Sequence, residues 1–190
     1  MKVTTYHEKQ VGFTIVELLI VIVVIGILAA ITIVAYNGIQ QRARNTQTVN
    51  AITGWVKALK LYEADNGSMP GNSGCLGTMY GYGPDGTDIS GYQCRQDSPT
   101  YGININNTFN TALTKYLPGT FPQPSLTATY LHNSSYWYKG AYYYATVPGR
   151  IDFVLEGKNT VCPTIGGLIL NSSQNSSTTD TVFCSIKFAT

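Results

Sequence analysis

The hydrophobic positions divide the chain into an apolar first stretch and a mixed remainder. Residues 13–36 read FTIVELLIVIVVIGILAAITIVAY, in which Glu17 is the single charged side chain. At 1.5 Å per residue, a helix of this length crosses a hydrocarbon core of roughly 30 Å. The following residues lack the small-residue cleavage site that ends a secretory signal. The pattern therefore predicts a retained membrane helix.

Beyond this stretch the pattern becomes amphipathic and predicts that the helix continues. Apolar side chains recur at spacings of three, four or six residues, at Ile39, Ala43, Val49, Ile52, Val56 and Leu59. No proline, which breaks helix interiors, precedes Pro70. Gly67 can cap a helix C-terminus and Pro70 cannot extend a helix. One long helix over residues 13–64 is therefore predicted.

The remaining residues, 65–190, have the pattern of a β-rich head. Segment 134–147 is dense in aromatic and β-branched residues, which favour strands. Segment 149–157 alternates Ile151, Phe153 and Leu155 against Asp152 and Glu156, which predicts a half-buried strand. In segment 180–188 the residues expected to face the core are Val182, Cys184, Ile186 and Phe188. Three or four antiparallel strands of this kind can pack on one helix.

Other segments of the head give weaker signals. Residues 160–170 are interpreted as a broken strand with a turn, and residues 171–180, NSSQNSSTTD, as a polar loop. Segment 106–119 predicts a short helix with Asn107 as its cap and Phe109, Leu113 and Tyr116 facing inward. The Gly-rich residues 71–94 are expected to form an ordered loop that a disulfide closes.

The cysteines Cys75, Cys94, Cys162 and Cys184 all follow the apolar run. They form no C-x-x-C pair and no His cluster accompanies them, so the sequence does not indicate a zinc site. An even number beyond a membrane segment indicates disulfides in an oxidising, extracytoplasmic space. Of three possible pairings, Cys75–Cys94 with Cys162–Cys184 closes the shortest local loops and is favoured. Four buried free thiols are the alternative.

Charge and candidate chemistry exclude several function classes. A net charge of +2 without a local basic cluster gives no basis for nucleic-acid binding. With only His7 and His132, the chain offers no nucleophilic triad, and no enzyme or cofactor is indicated. Asp85 and Asp88 in GPDGTD could indicate calcium, but they supply too few oxygen ligands, and two carboxylates in a Gly-rich turn are more often an ordinary turn. No metal site is therefore predicted.

Seven aromatic residues cluster in the strand region. They are Tyr130, Tyr136, Trp137, Tyr138, Tyr142, Tyr143 and Tyr144. Such a set can form an exposed surface for sugars, cell walls or DNA, or it can be divided between a sheet core and a subunit interface. The sequence favours the second interpretation.

The N-terminal pattern resembles that of type IV pilins and their pseudopilin relatives, the subunits of bacterial filaments. The resemblance rests on Gly12, then Phe13, then an acid four residues on at Glu17, followed by an uninterrupted apolar helix. It covers residues 8–65 in motif and order of elements, and the head only as an architecture. It implies an α+β fold in which a long N-terminal helix packs on a small antiparallel sheet.

The resemblance also implies a life cycle. A prepilin peptidase would remove a cytoplasmic leader, residues 1–12, between Gly12 and Phe13, and the new Phe13 amine would be N-methylated. Residues 13–36 would first lie in the inner membrane and then form the core of an extracellular helical filament. An assembly platform and its ATPase would be partners, and adhesion to a surface or host cell, twitching motility or DNA uptake would be the task. Glu17 would pair with the Phe13 amine of a neighbouring subunit and set the axial register.

One departure and several alternatives follow. Many family members have a proline where this chain has Val34, so a continuous helix is expected at least as much as unwinding near Gly26. The chain could instead be a pseudopilin of a type II secretion-like system, or a membrane-anchored adhesion domain that does not polymerise. Glu17 could also extend to the lipid headgroups or be protonated at the membrane edge.

Overall fold

The computed structural model describes residues 12–78, 93–98, 101–117, 119–133 and 136–189. It divides into two compact units, Met1–Gln40 and Gln41–Thr190, the second of which we call the head. The elements are α1 (Ile15–Asn66), β1 (Gly74–Cys75), β2 (Gln93–Ser98), β3 (Tyr101–Asn104), α2 (Asn107–Leu113), a 3₁₀ turn (Thr114–Tyr116), β4 (Thr129–Asn133), β5 (Tyr136–Lys139), β6 (Ala141–Tyr144), β7 (Arg150–Glu156), β8 (Ile169–Asn175) and β9 (Thr181–Lys187).

Helix α1 is the longest element, and its apolar part carries no protein cover. Residues 12–33 are all exposed, and the large apolar side chains among them expose between 48% and 85% of their surface. The helix passes through Gly26 and residue 34 without interruption. By length and composition it is the one helix among the described residues that could cross a membrane.

The head part of α1 buries one face, but not the whole face that the spacing predicts. Ile52, Val56 and Leu59 are buried as predicted, and so is Trp55, which the spacing missed. Ile39 and Ala43 were expected on the buried stripe but are exposed. The first fully buried side chain of α1 is that of Thr48, because the core of the head covers the helix from there onward. Gly67, with φ 75°, ends the helix by donating its N–H to the Glu63 carbonyl at 2.8 Å.

Two antiparallel sheets follow, which confirms the α+β class. The five-stranded sheet has the order β1-β6-β7-β9-β8, and the four-stranded sheet has the order β3-β2-β5-β4. This is more strand structure than the three or four strands expected. Segment 134–147 does not form a single strand, since β5 and β6 belong to different sheets. Gly140, at φ 63°, is the residue between them and permits the turn.

Strand β7 is central and buried on both faces, whereas the alternation predicted a half-buried strand. Phe153 and its inward neighbours join α1 in the main core, while Val154 packs with Ala128 and Tyr130 on the other face. Asp152 is also buried, at 1% exposure. The expectation was wrong because the second sheet covers the face that was assigned to solvent. The inward set of β9 is buried as predicted, although Ser185 on its other face is buried as well.

Two local predictions, the loop at residues 171–180 and the cap of α2, were wrong in detail. The polar segment at 171–175 continues strand β8, an edge strand with both faces largely exposed, so it shows no apolar alternation. The cap of α2 is Asn106 rather than Asn107, because the Asn106 Oδ1 accepts the Phe109 N–H at 3.1 Å. Phe109 and Leu113 are buried as predicted, and Tyr116 is half-buried.

Candidate assembly site at the N-terminal helix

The start of α1 is held by a reciprocal pair of contacts between Thr14 and Glu17. The Thr14 N–H and hydroxyl both donate to Glu17 Oε2 at 2.8 Å, and the Glu17 N–H donates to Thr14 Oγ1 at 3.3 Å. Because the helix begins at Ile15, these residues occupy its N-cap and third positions and form a capping box. The sequence contains this signature as T-x-x-E, although no cap was predicted there. Glu17 therefore has a structural role within one chain.

The other predicted site residues lie directly before the helix. Gly12 and Phe13 are exposed and non-helical, with 85% of Phe13 in contact with solvent. In the uncleaved chain the Phe13 nitrogen is a peptide amide, and it becomes an amine only after cleavage. The contact between Glu17 and the Phe13 amine of another copy therefore stays a prediction.

A polar cluster fixes α1 where it enters the head. The Arg44 guanidinium makes two hydrogen bonds of 2.7 Å with the Glu156 carboxylate, and this contact raises the pKa of Arg44. Asn45 accepts the Glu156 N–H at 2.8 Å and donates to its carbonyl at 2.9 Å. Gln41 donates to the same carbonyl at 3.0 Å, and Thr127 donates to the carboxylate. Residues 41–45 are thereby tied to the end of β7.

Two disulfides brace the head. Cys75–Cys94 has an Sγ–Sγ distance of 2.06 Å and Cys162–Cys184 one of 2.00 Å, and these are the pairs that loop length favoured. The first joins β1 to β2 and so links the two sheets. The second ties the segment before β8 to β9.

Comparisons with known proteins agree with the N-terminal geometry. Residues 9–33 match the model of the prokaryotic N-terminal methylation motif. A fimbrial protein of Neisseria meningitidis serogroup A is 35% identical over 109 residues, which are 53% of this chain and 61% of the relative. The type IV major pilin protein PilE1 of Neisseria gonorrhoeae is 28% identical over 134 residues, or 70% and 78% of the two chains. The chain is similar to type IV pilins in this motif and over more than half of its length.

The family match has a defined extent. The type II secretion system core protein G of Escherichia coli K12 is 36% identical over 63 residues, 33% of this chain and 43% of that protein. The chain spans about half the length of the fimbrial proteins of Neisseria meningitidis that it matches, 42% in one and 61% in another. No solved structure matches with comparable significance. The similarity thus extends both to pilins and to a core protein of a secretion system.

The aromatic set of the head is buried or half-buried and does not form an exposed surface. Tyr130, Trp137, Tyr142 and Tyr143 are buried, and the other three members are half-buried. Rings from both sheets pack together between them; the centroid of Tyr138 lies 5.0 Å from that of Phe183. Tyr130, Tyr138 and Tyr142 therefore pack between the sheets, whereas Tyr143 stacks on Phe109 in the main core beside α1.

Asp152 completes this core as the acid of a buried ion cluster. Its Oδ2 lies 3.0 Å from Arg150 Nη2 and 3.7 Å from Arg95 Nη1. Burial raises the pKa of the Asp152 carboxyl, although a hydrogen bond from Ser185 and the two guanidiniums act in the opposite direction. Arg95 also lies over the ring of Tyr142, 5.0 Å from its centroid. The cluster joins β2 to β7 and is structural.

The remaining sequence candidates supply no chemistry. His132 is exposed and makes an edge contact with Tyr136. Within the part of the chain that the structure describes, no group of three His, Cys, Asp or Glu could hold a metal ion. Asp85 and Asp88 lie outside the described residues.

Proposed function

We propose that this chain is a structural subunit of a type IV pilus, assembled through its N-terminal helix into an extracellular filament. The observation that carries the proposal is the capped apolar helix whose side chains are all exposed from residue 15 to residue 33. A surface of this kind needs lipid or other helices around it. In a filament subunit, lipid surrounds this helix before assembly and the helices of neighbouring copies surround it afterwards.

The proposal assigns a role to each residue of the motif. A prepilin peptidase removes residues 1–12 by cutting between Gly12 and Phe13, and the Phe13 amine is methylated. Glu17 then pairs with the amine of a neighbouring copy. Both hydrogen bonds from Thr14 use Oε2, and Oε1 accepts none from the described residues, so an oxygen is available for that amine. An unpaired carboxylate in a water-poor filament core is costly, so the pairing selects one axial register.

Partners and location follow from this role. The precursor is a single-pass protein of the inner membrane, and the assembly platform with its ATPase extracts it into a homo-oligomeric filament outside the cell. The cluster around Arg44 and Glu156 suits extraction, because it ties residues 41–45 of α1 to strand β7 within the head. Adhesion, twitching motility and DNA uptake are the candidate tasks of the filament.

A second candidate is a pseudopilin of a type II secretion system. It is favoured by the similarity of one third of the chain to core protein G of such systems. A membrane-anchored adhesion domain that never polymerises has less support, because a plain anchor requires neither the Gly12–Phe13 pair nor Glu17.

Shearing of intact cells tests the proposal, with immunoblotting of the sheared and cell fractions. Wild-type chain is expected in the high-molecular-weight sheared fraction. Glu17→Ala should insert and be processed, yet the sheared fraction should fall by at least about tenfold because a charge is left unpaired. Thr14→Ala is the matched control, since it removes the capping box and leaves the carboxylate.

The control separates two explanations of Glu17. If Thr14→Ala assembles nearly as well as wild type while Glu17→Ala does not, the acid acts between subunits. Equal losses in the two variants would reduce Glu17 to a capping residue. Absence of wild-type chain from the sheared fraction would contradict the filament itself.

A further inference from the structure

The loop after β7, residues 157–162, is held rigidly; we call it the knob loop. The Asn159 N–H donates to Asn175 Oδ1 at 2.9 Å, and Asn175 Nδ2 donates back to Asn159 Oδ1 at 2.8 Å. The Lys158 N–H donates to Asp180 Oδ1 at 2.6 Å, and the disulfide of Cys162 closes the loop. Asn159 has a φ of 62°, a conformation that costs energy outside glycine.

This rigid loop presents an aliphatic side chain to water. Val161 exposes 85% of its surface although its neighbour Cys162 is buried and covalently anchored. A single exposed apolar residue on a flexible loop needs no explanation. Here several hydrogen bonds and a disulfide fix the conformation that displays it. An exposed apolar side chain on a loop of fixed conformation is suited to binding, because little conformational entropy is lost when it contacts a partner.

A cleft of about 460 Å³ lies elsewhere on the head, between the end of α1 and the β6–β7 turn. Its lining is mainly apolar and includes Met69, Pro70, Tyr143, Val147, Phe188 and Glu63. The Tyr143 hydroxyl donates to the Pro70 carbonyl at 3.1 Å and braces the wall. The volume lies within the range of cleft-type binding sites in proteins.

The knob loop and the cleft lie at opposite ends of strand β7. Gly149, which lines the cleft, precedes the first residue of β7, and Gly157 of the knob loop follows the last. Seven extended residues separate the two by roughly 20 Å, so they cannot meet within one head. Contact between them joins different surfaces of two copies. Such a heterologous contact generates a ring when its rotation closes and an open-ended helical polymer when it does not, and the proposed filament is the second case.

Charge complementarity supports this pairing. Lys158 is an exposed cation on the knob loop, and Glu63 is an exposed anion at the cleft. Among the described residues, neither side chain has an ion pair or a hydrogen bond. Each is therefore available to a partner of opposite sign.

We propose that a second copy of this chain occupies the cleft, with Val161 of its knob loop in the apolar part and Lys158 beside Glu63. The inference rests on the proposed filament and adds a head-to-head contact to it. The contact runs along the head part of α1, because Asn45 is bonded to the knob end of β7 and Glu63 lies at its cleft end. Successive heads thus stack along the direction of the head part of α1.

Charge exchange in the full-length chain tests the contact by the shearing assay. Lys158→Glu and Glu63→Lys should each lower the sheared fraction by about threefold, and the double variant, in which both charges are reversed, should restore it. Val161→Asp should lower it by about tenfold, the effect of losing one buried aliphatic side chain. Lys57→Glu is the matched control, an exposed lysine of α1 on neither surface. Non-reducing gels verify that the disulfides, and hence the heads, have formed.

The outcomes separate this contact from the filament itself. Single variants that assemble like Lys57→Glu would overturn the contact while the filament stands. Loss in both single variants without recovery in the double variant would overturn the pairing of these two surfaces. A wild-type chain that never enters the sheared fraction would overturn the filament and the contact together.

Discussion

In the head, the side chains of Trp55, Tyr142 and Phe153 are completely removed from solvent, whereas each large apolar side chain over residues 15–33 keeps about half of its surface or more exposed. Both regions are rich in apolar residues, so composition alone does not explain the contrast. The head has two sheets that cover its helix and each other. The first part of α1 satisfies its backbone within the helix and has no such cover.

The two regions also use polar groups differently. In the head, the carboxylates of Asp152 and Glu156 are paired with arginines of the same chain. In the apolar part of α1, the one carboxylate is that of Glu17, which is bonded to the helix N-cap. The difference suggests that the head encodes its structure internally, while the apolar helix is completed by lipid or by other copies.

The largest expected effect tests whether stability resides in the head. Trp55→Ala removes a ring that stacks on Phe121 at 5.5 Å and donates to the Pro122 carbonyl at 2.9 Å. The free energy of unfolding should fall by about 3–5 kcal/mol. Urea unfolding of the full chain in detergent, followed by near-ultraviolet circular dichroism, measures it. Ile25→Ala is the control and should leave the urea midpoint unchanged. An equal decrease with Ile25→Ala would contradict the claim that the stability resides in the head.

Next in size is the loss of a disulfide. Replacing Cys162 and Cys184 together with serine opens a loop with a sequence separation of 22 residues. Constraint of the unfolded chain by such a loop is worth about 3 kcal/mol. The same urea titration should show the decrease in the head. A midpoint equal to that of wild type would mean that the loop is held by its hydrogen bonds alone.

A smaller effect compares two helix caps directly. Asn106→Ala removes the cap of α2 inside the head and should cost about 1 kcal/mol. Thr14→Ala removes the cap of α1 and should leave the urea midpoint of the head unchanged, because no head contact depends on it. If the two substitutions destabilised the head equally, its folding would not be independent of the apolar helix.

The smallest effect is a pH dependence at the surface of the head. Hydrogen bonds from Lys115 and Tyr116 lower the pKa of the Asp65 carboxyl below its usual 3.8. A carboxyl whose pKa is lowered by folding stabilises the folded state at pH values above its unfolded-state pKa. That stability is lost as pH falls through the folded-state pKa. Asp65→Asn should therefore lower the urea midpoint slightly at pH 7 and not at all at the most acidic pH. A difference that persists throughout would contradict the ionic origin.

Local signals were sufficient for the helix and for much of the sheet. Gly67 and Pro70 marked the end of α1 because each acts through its own backbone. The inward residues of β9, such as Val182 and Ile186, followed from a period of two. These features depend on near neighbours in sequence, which a single chain displays directly.

Features that depend on distant segments were not predictable in the same way. The alternation of β7 predicted that Asp152 faces solvent, but the second sheet covers it and leaves it buried. Ile39 fits an apolar stripe, yet the core of the head covers the helix only from Thr48 onward. The polar residues 171–175 belong to the edge strand β8 and so lack the alternation that marks buried strands.

The candidate site likewise has features that local sequence predicts and features that it does not. Gly12, Phe13 and Glu17 could be selected from their spacing, and the capping partner Thr14 was also present in the sequence. In the proposed filament the partner of Glu17 belongs to another copy, so neither periodicity nor spacing within one chain identifies it. The cleft could not be predicted from the sequence because distant segments line it. Its position relative to the knob loop is set by β7, which has one of them at each end.

Mass spectrometry of the N-terminal peptide in material sheared from intact cells tests the central claim most directly. The account predicts a peptide that begins at methylated Phe13, in a high-molecular-weight fraction released by shear. Protein that remains with the membrane and begins at Met1 or Lys2 would contradict it. In that case the exposed apolar helix would be a permanent anchor.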